Sequence, residues 1–187
     1  MINRKTKIFS LTALAVGSIY FLSLTTSIKA NVYLTVKMSM LEIFPMANKF
    51  DRKTAFFNKK QRRAAGEISG NPYLPSLMVY YEVKRDNKLI GYYFIDSHKV
   101  RTNKETIAVG LYLDFSIRDV KVLSFYEPKE YFPVPFWLKQ FKNLMVSKKT
   151  MQIDYDIQGM TGATLTNRAV VRTLRDRVSL LKIHLKK

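Results

Sequence analysis

The 187-residue chain contains no cysteine. That excludes disulfides, thiolate metal sites and cysteine nucleophiles, and it leaves the redox compartment open. Histidine is nearly absent as well, with His98 and His184 the two in the chain, so neither a two-histidine haem site nor a metal site is expected. Acidic residues are scarce: 14 Asp and Glu stand against 32 Lys and Arg, a formal net charge of +18. The sequence shows no nucleophile-and-base pattern, no carboxylate pair at a specific spacing and no Walker-type loop, so nothing in it points to hydrolysis. It has no internal repeat or low-complexity tract, and its one long apolar run lies at the N-terminus.

What is present bounds one domain with a proper core. Hydrophobic residues make up 47% and charged residues 25% of the chain, close to ordinary globular values. The basic excess suits a polyanion. Yet Lys and Arg are scattered along the whole chain, and no helix-turn-helix, zinc or aromatic RNA-binding motif accompanies them. Nucleic acid is therefore not the expected partner; an anionic membrane surface or an acidic protein is the better expectation.

Residues 1–7 carry Arg4, Lys5 and Lys7, and the apolar run 8–24 follows, ending in the more polar Thr25-Thr26-Ser27-Ile28-Lys29-Ala30. This is the layout of a secretory signal, with cleavage after Ala30. The run is also nearly long enough to stay as an N-terminal membrane anchor. In either case residues 31–187 are expected to be exported, because the positive residues stay inside. Loss of residues 1–30 would remove four positive charges and leave the domain strongly basic.

Residues 31–44 read as a short amphipathic helix with Leu34, Met38, Leu41 and Phe44 on one face, stopped by Pro45. Residues 53–68 read as another helix, with a basic run at 59–63 as its solvated face, and Pro72 and Pro75 punctuate a loop. From Leu77 the period changes to two. Residues 77–84 and 89–96 form one hairpin across Asp86-Asn87-Lys88, and 105–113 and 117–125 a second across Asp114-Phe115-Ser116. Tyr80, Tyr81, Tyr92 and Tyr93 fall within these strands as sheet residues. Residues 127–135 form a loop, and a helix over 135–145 carries Trp137, a core anchor. The expected fold class is α+β: a four-stranded, largely antiparallel sheet with helices covering one face.

The densest local signal is Gln158-Gly159-Met160-Thr161-Gly162-Ala163-Thr164-Leu165-Thr166-Asn167. After it, Val170, Leu174, Val178, Leu181 and Leu185 recur at spacings of three and four, the apolar stripe of a long helix. Thr166 or Asn167 is the expected N-cap. The unpaired N–H groups of such a start, with the helix dipole, form an anion site most naturally suited to phosphate. Gly162 lets the backbone come close to what sits there.

This stretch resembles the flavinylation motif Asp-x-x-Ser/Thr-Gly-Ala-Thr/Ser of the FMN-binding domain family, found in subunits of bacterial respiratory complexes and in small exported electron-transfer proteins. The match lies at Thr161-Gly162-Ala163-Thr164, and the motif's Asp falls at Gln158, with Asp154 and Asp156 close by. The residues Tyr92 onward through Ser97-His98-Lys99-Val100-Arg101-Thr102, then Phe125-Tyr126-Glu127-Pro128 and Trp137-Leu138-Lys139-Gln140-Phe141, extend the likeness over roughly residues 32–182. The resemblance implies FMN as cofactor, joined by its phosphate to Thr164, with Thr161, Gly162, Ala163 and Thr166 around it. It also implies a flavin transferase for maturation and a redox partner, a cytochrome or membrane oxidoreductase. The protein would be a carrier rather than an enzyme with its own substrate, working in the periplasm or on the outer face of the cytoplasmic membrane. A binding or assembly module of the same fold that carries no flavin is the alternative. His98 is a candidate to line the flavin or meet a partner, or else a packed histidine at a strand end. Arg101 is a candidate for the phosphate. Glu127 either accepts a flavin ring N–H or stabilises a turn.

Overall fold

The computed structural model describes residues 31–186; the signal or anchor expected over 1–30 lies outside them. Among the described residues no helix is long and apolar enough to cross a membrane. The elements run β1 (Asn31–Val32), α1 (Val36–Ile43), β2 (Lys49–Phe56), α2 (Lys59–Ser69), β3 (Leu77–Arg85), β4 (Lys88–Lys99), β5 (Lys104–Leu111), β6 (Ile117–Phe125), α3 (Pro135–Leu138) and α4 (Thr164–Leu185). The six strands form one antiparallel sheet in the order β1-β6-β5-β4-β3-β2. The α+β class is as expected, and both hairpins are where the alternation placed them.

The β3–β4 hairpin turns on Asp86 and Asn87 at φ 50° and 61°, the positive pair that a two-residue turn needs to match the strand twist. Phe115 in the β5–β6 turn also has positive φ, 68°, and its ring stacks on Tyr92 at 5.4 Å. Alternation along β4 and β5 divides the core. Tyr92, Phe94, Ile107, Val109 and Leu111 join the large cluster that takes in Val170, Leu174, Val178 and Leu181 of α4. Tyr93 and Ala108 point to the other face, beside Ile43 and Phe44.

Five expectations need correction. The sheet has two strands more than the four expected, the short β1 and the edge strand β2. Helix α2 starts at Lys59 rather than 53, because Asn58 caps it in a box with Gln61: each side chain takes the other's backbone N–H, at 2.9 and 3.0 Å. Residues 49–56 pair instead with β3. Helices cover both faces, not one, since α1 lies on the second. On α1 the buried residues are Ser39 and Ile43, and Met38 and Leu41 stand outward, 52% and 49% exposed. The helix expected over 135–145 is a single turn, α3, followed by a 3-10 turn at Lys139–Phe141. Trp137 and Phe141 are nevertheless buried, with their rings 5.0 Å apart.

Candidate functional site

Helix α4 begins at Thr164, three residues earlier than the spacing of its apolar stripe suggested, and its N-cap is Ala163, which offers no side-chain bond. Thr166 and Asn167 are not caps. They are buried in the first turn, and their side chains hold the surrounding loops: Thr166 Oγ1 donates to the Tyr131 carbonyl at 2.8 Å and Asn167 Nδ2 to the Met160 carbonyl at 3.1 Å. The first N–H groups of a 22-residue helix therefore lack a capping side chain and keep their attraction for an anion.

The loop leading into α4 is tied from α3 and the 3-10 turn that follows it. Trp137 Nε1 donates to the Gln158 carbonyl at 2.7 Å. Gln140 grips the same residue from both sides, donating to its carbonyl at 3.2 Å and accepting its N–H at 2.9 Å. The Gln158 side chain itself is exposed. Gly162 has φ 78°, the left-handed region that favours glycine, and turns the chain into the helix.

Across from the helix start lies the β4–β5 turn, residues 100–103. Glu127 clamps it: Oε1 accepts the backbone N–H groups of Arg101, Thr102 and Asn103 at 3.1, 2.7 and 2.7 Å. Burial alone would push the Glu127 carboxyl up, but these N–H groups prevail and hold it below its ordinary value. Between turn and helix is a notch of about 160 Å³, to which Val100, Arg101, Glu127, Tyr131 and the residues from Gly162 to Thr166 contribute. The structure thus brings together Thr164, Gly162, Ala163, Thr166, Glu127 and Arg101. Thr161 is exposed one residue outside the notch.

His98 lies elsewhere. It lines a second, neighbouring groove that shares only Val100 and Leu165 with the notch. Its Nδ1 is 3.3 Å from Asp96 Oδ1 and its Nε2 3.2 Å from Glu105 Oε2, while Arg177 Nε bonds the other Asp96 oxygen. Burial would lower the imidazole, yet the hydrogen bonds and charges of Asp96 and Glu105 raise it to about 9. The ring is accordingly protonated at neutral pH and ties β4 and β5 to α4 through a buried ionic chain.

Sequence reasoning missed the supporting roles of Val100, Leu165, Gln140 and the Tyr131 carbonyl. The Trp137-x-x-Gln140 spacing, which sets both side chains on one side of a turn, was the only local signal for any of them.

A family model, the FMN-binding domain, matches residues 77–179, from the start of β3 into α4. The chain belongs to that family, and the protein binds FMN. None of the curated proteins matches the sequence. The residues fit the group: the uncapped helix start and Arg101 suit a phosphate, and the notch opens beside the exposed Thr164.

Proposed function

We propose that the protein is an exported electron-transfer flavoprotein with FMN joined by a phosphoester to Thr164. The observation that carries this reading is the position of Thr164, an exposed hydroxyl on the first residue of an uncapped helix, in a notch faced by Arg101. Bound FMN supplies one- or two-electron transfer. The chain's residues do the rest. The α4 N–H groups and Arg101 hold the phosphate charge, the Trp137–Gln140 grip sets the loop, and the Thr164 bond keeps the cofactor from diffusing away. Attachment by a flavin transferase using FAD would form a bond from Thr164 Oγ1 to the phosphorus of the FMN half. The phosphoanhydride would break, AMP would leave, and the hydroxyl proton would pass to a base. The protein would then shuttle electrons between a membrane donor and a periplasmic or extracellular acceptor, with a cytochrome or membrane oxidoreductase as redox partner.

The test is intact mass with in-gel flavin fluorescence on protein secreted by a host that co-expresses the transferase. We expect a gain of one FMN less one water, absent from Thr164→Ala. No gain in the wild type would favour the second reading, a non-flavinylated binding or assembly module at the membrane, for which Gln158 at the motif's Asp position is the specific observation. Of the nearby carboxylates, Asp156 closes its own turn by accepting the Gln152 N–H at 3.2 Å, whereas Asp154 Oδ1 lies beside Gly159. Asp154 is therefore the better substitute. Gln158→Asp is expected to raise the flavinylated fraction, and Asp154→Asn to lower it in the wild type, both read from the same mass spectra.

A further inference from the structure

The groove beside the flavin site is larger than the notch, about 460 Å³, and strongly basic. Of its two carboxylates, Asp96 is engaged with His98 and Arg177, and Asp176 accepts from Asn71 Nδ2 at 2.7 Å on one oxygen and is buried on the other. Among the described residues, Lys99, Arg168 and Arg172 have no acidic partner within 4.0 Å. Arg168 and Arg172 sit one and two turns beyond Thr164 on α4, both exposed, so they reach about 6 and 12 Å along the helix from the attachment residue. The rim carries Tyr73, 89% exposed, and Leu165, 47% exposed.

We infer that this groove is the docking face for an acidic protein, the electron-transfer partner of the flavin. The inference rests on the carrier reading for the partner's role, but not for the binding itself. Three observations choose the occupant. Exposed arginines with no salt bridge within 4.0 Å, beside an exposed tyrosine and leucine, are the composition of a protein–protein anchor. The surface is concave, a poor match for a flat bilayer. Its basic stretch spans only two helical turns, too short to follow a nucleic-acid backbone. The groove shares the Val100–Leu165 wall with the notch, so a partner seated there lies against the cofactor's attachment point. The excess of positive charge over the whole chain would steer an acidic partner toward it.

The test uses the purified exported protein and a fluorescein-labelled polyglutamate peptide, followed by anisotropy at two salt concentrations. We expect saturable binding that weakens with salt and falls about tenfold or more in Arg168→Glu/Arg172→Glu. Arg52→Glu/Lys53→Glu, the same charge change on exposed residues of β2, should bind like the wild type. Equal loss in both pairs, or no peptide binding, overturns the inference. So does groove-dependent binding to phosphatidylglycerol vesicles without peptide binding. Flavin content is read by mass on the same samples. Peptide binding without the covalent adduct would leave the docking face standing and remove the covalent-carrier reading, and the adduct without peptide binding would do the reverse.

Discussion

Glu127→Ala is expected to destabilise the protein by about 2 kcal/mol in urea unfolding at pH 7, and to reduce the flavinylated fraction. One carboxylate oxygen accepts three consecutive N–H groups of the β4–β5 turn, and charge-assisted bonds of this kind are each worth more than neutral ones. Arg101 and Thr102 are exposed, so water would replace part of what alanine removes, which keeps the loss near the lower end. The wall of the notch would still lose its shape, because among the described residues the turn's own bonds are the Val100–Asn103 backbone bond of 3.0 Å and the exposed Asn103 Nδ2 to Thr102 Oγ1 bond of 3.3 Å. Glu127→Gln keeps an acceptor without the charge and should lose about half as much. The pH dependence has a definite sign. The folded carboxyl is held below its unfolded value of 4.5, so its contribution is present above that value and fades as the pH falls below it. Glu127→Gln should lack this acid-side loss. If Glu127→Ala unfolds at the wild-type urea concentration, the clamp holds nothing together.

The clamp also shows what a sequence can and cannot disclose. Glu127 was legible as a loop carboxylate with two roles open, a flavin contact or a turn brace. Only the fold brings it to residues 24 to 26 positions earlier. The two hairpins and the apolar face of α4 were legible because period-two and period-3.6 patterns are local and their buried faces are nearly complete. Strand β2 was not. It is an edge strand with Ala55 as its one fully buried residue, so its alternation is faint, and residues 53–56 merge with the helical pattern that follows. The Asn58-x-x-Gln61 box marks the true start of α2 and is a local signal in the sequence. At α4 the polar residues Thr166 and Asn167 imitate caps, but tertiary structure draws their hydroxyl and amide to the Tyr131 and Met160 carbonyls. The N-cap is instead Ala163, which has no side-chain acceptor, and that substitution of roles is what leaves the helix's first N–H groups open for phosphate.

His98→Ala is expected to have the largest effect on stability, about 3 kcal/mol or more at neutral pH. Asp96 and His98 sit two residues apart on one side of β4, and Glu105 lies directly opposite His98 on β5. Glu105 is 0% exposed, its Oε2 meets only the imidazole, and its Oε1 has no hydrogen-bond partner among the described residues. Without the ring, a buried carboxylate faces no cation, the arrangement in which breaking a pair costs far more than the pair contributes. Glu105 can escape by taking a proton, since burial already pushes its carboxyl up. His98→Ala/Glu105→Gln should therefore recover part of the loss. The wild type has its own signature. His98 is raised from 6.5 in the unfolded chain to about 9 in the folded one, so between these values the folded state holds one proton more. Its stabilisation is fully present below pH 6.5 and is lost as the pH rises through about 9. The slope should approach roughly 1.4 kcal/mol per pH unit in the middle of that window. Chemical denaturation from pH 6 to 9.5 would measure it. A wild-type profile flat across that range, with His98→Ala matching it, would mean that the imidazole is neutral and the chain from Glu105 to Arg177 carries no charge through it.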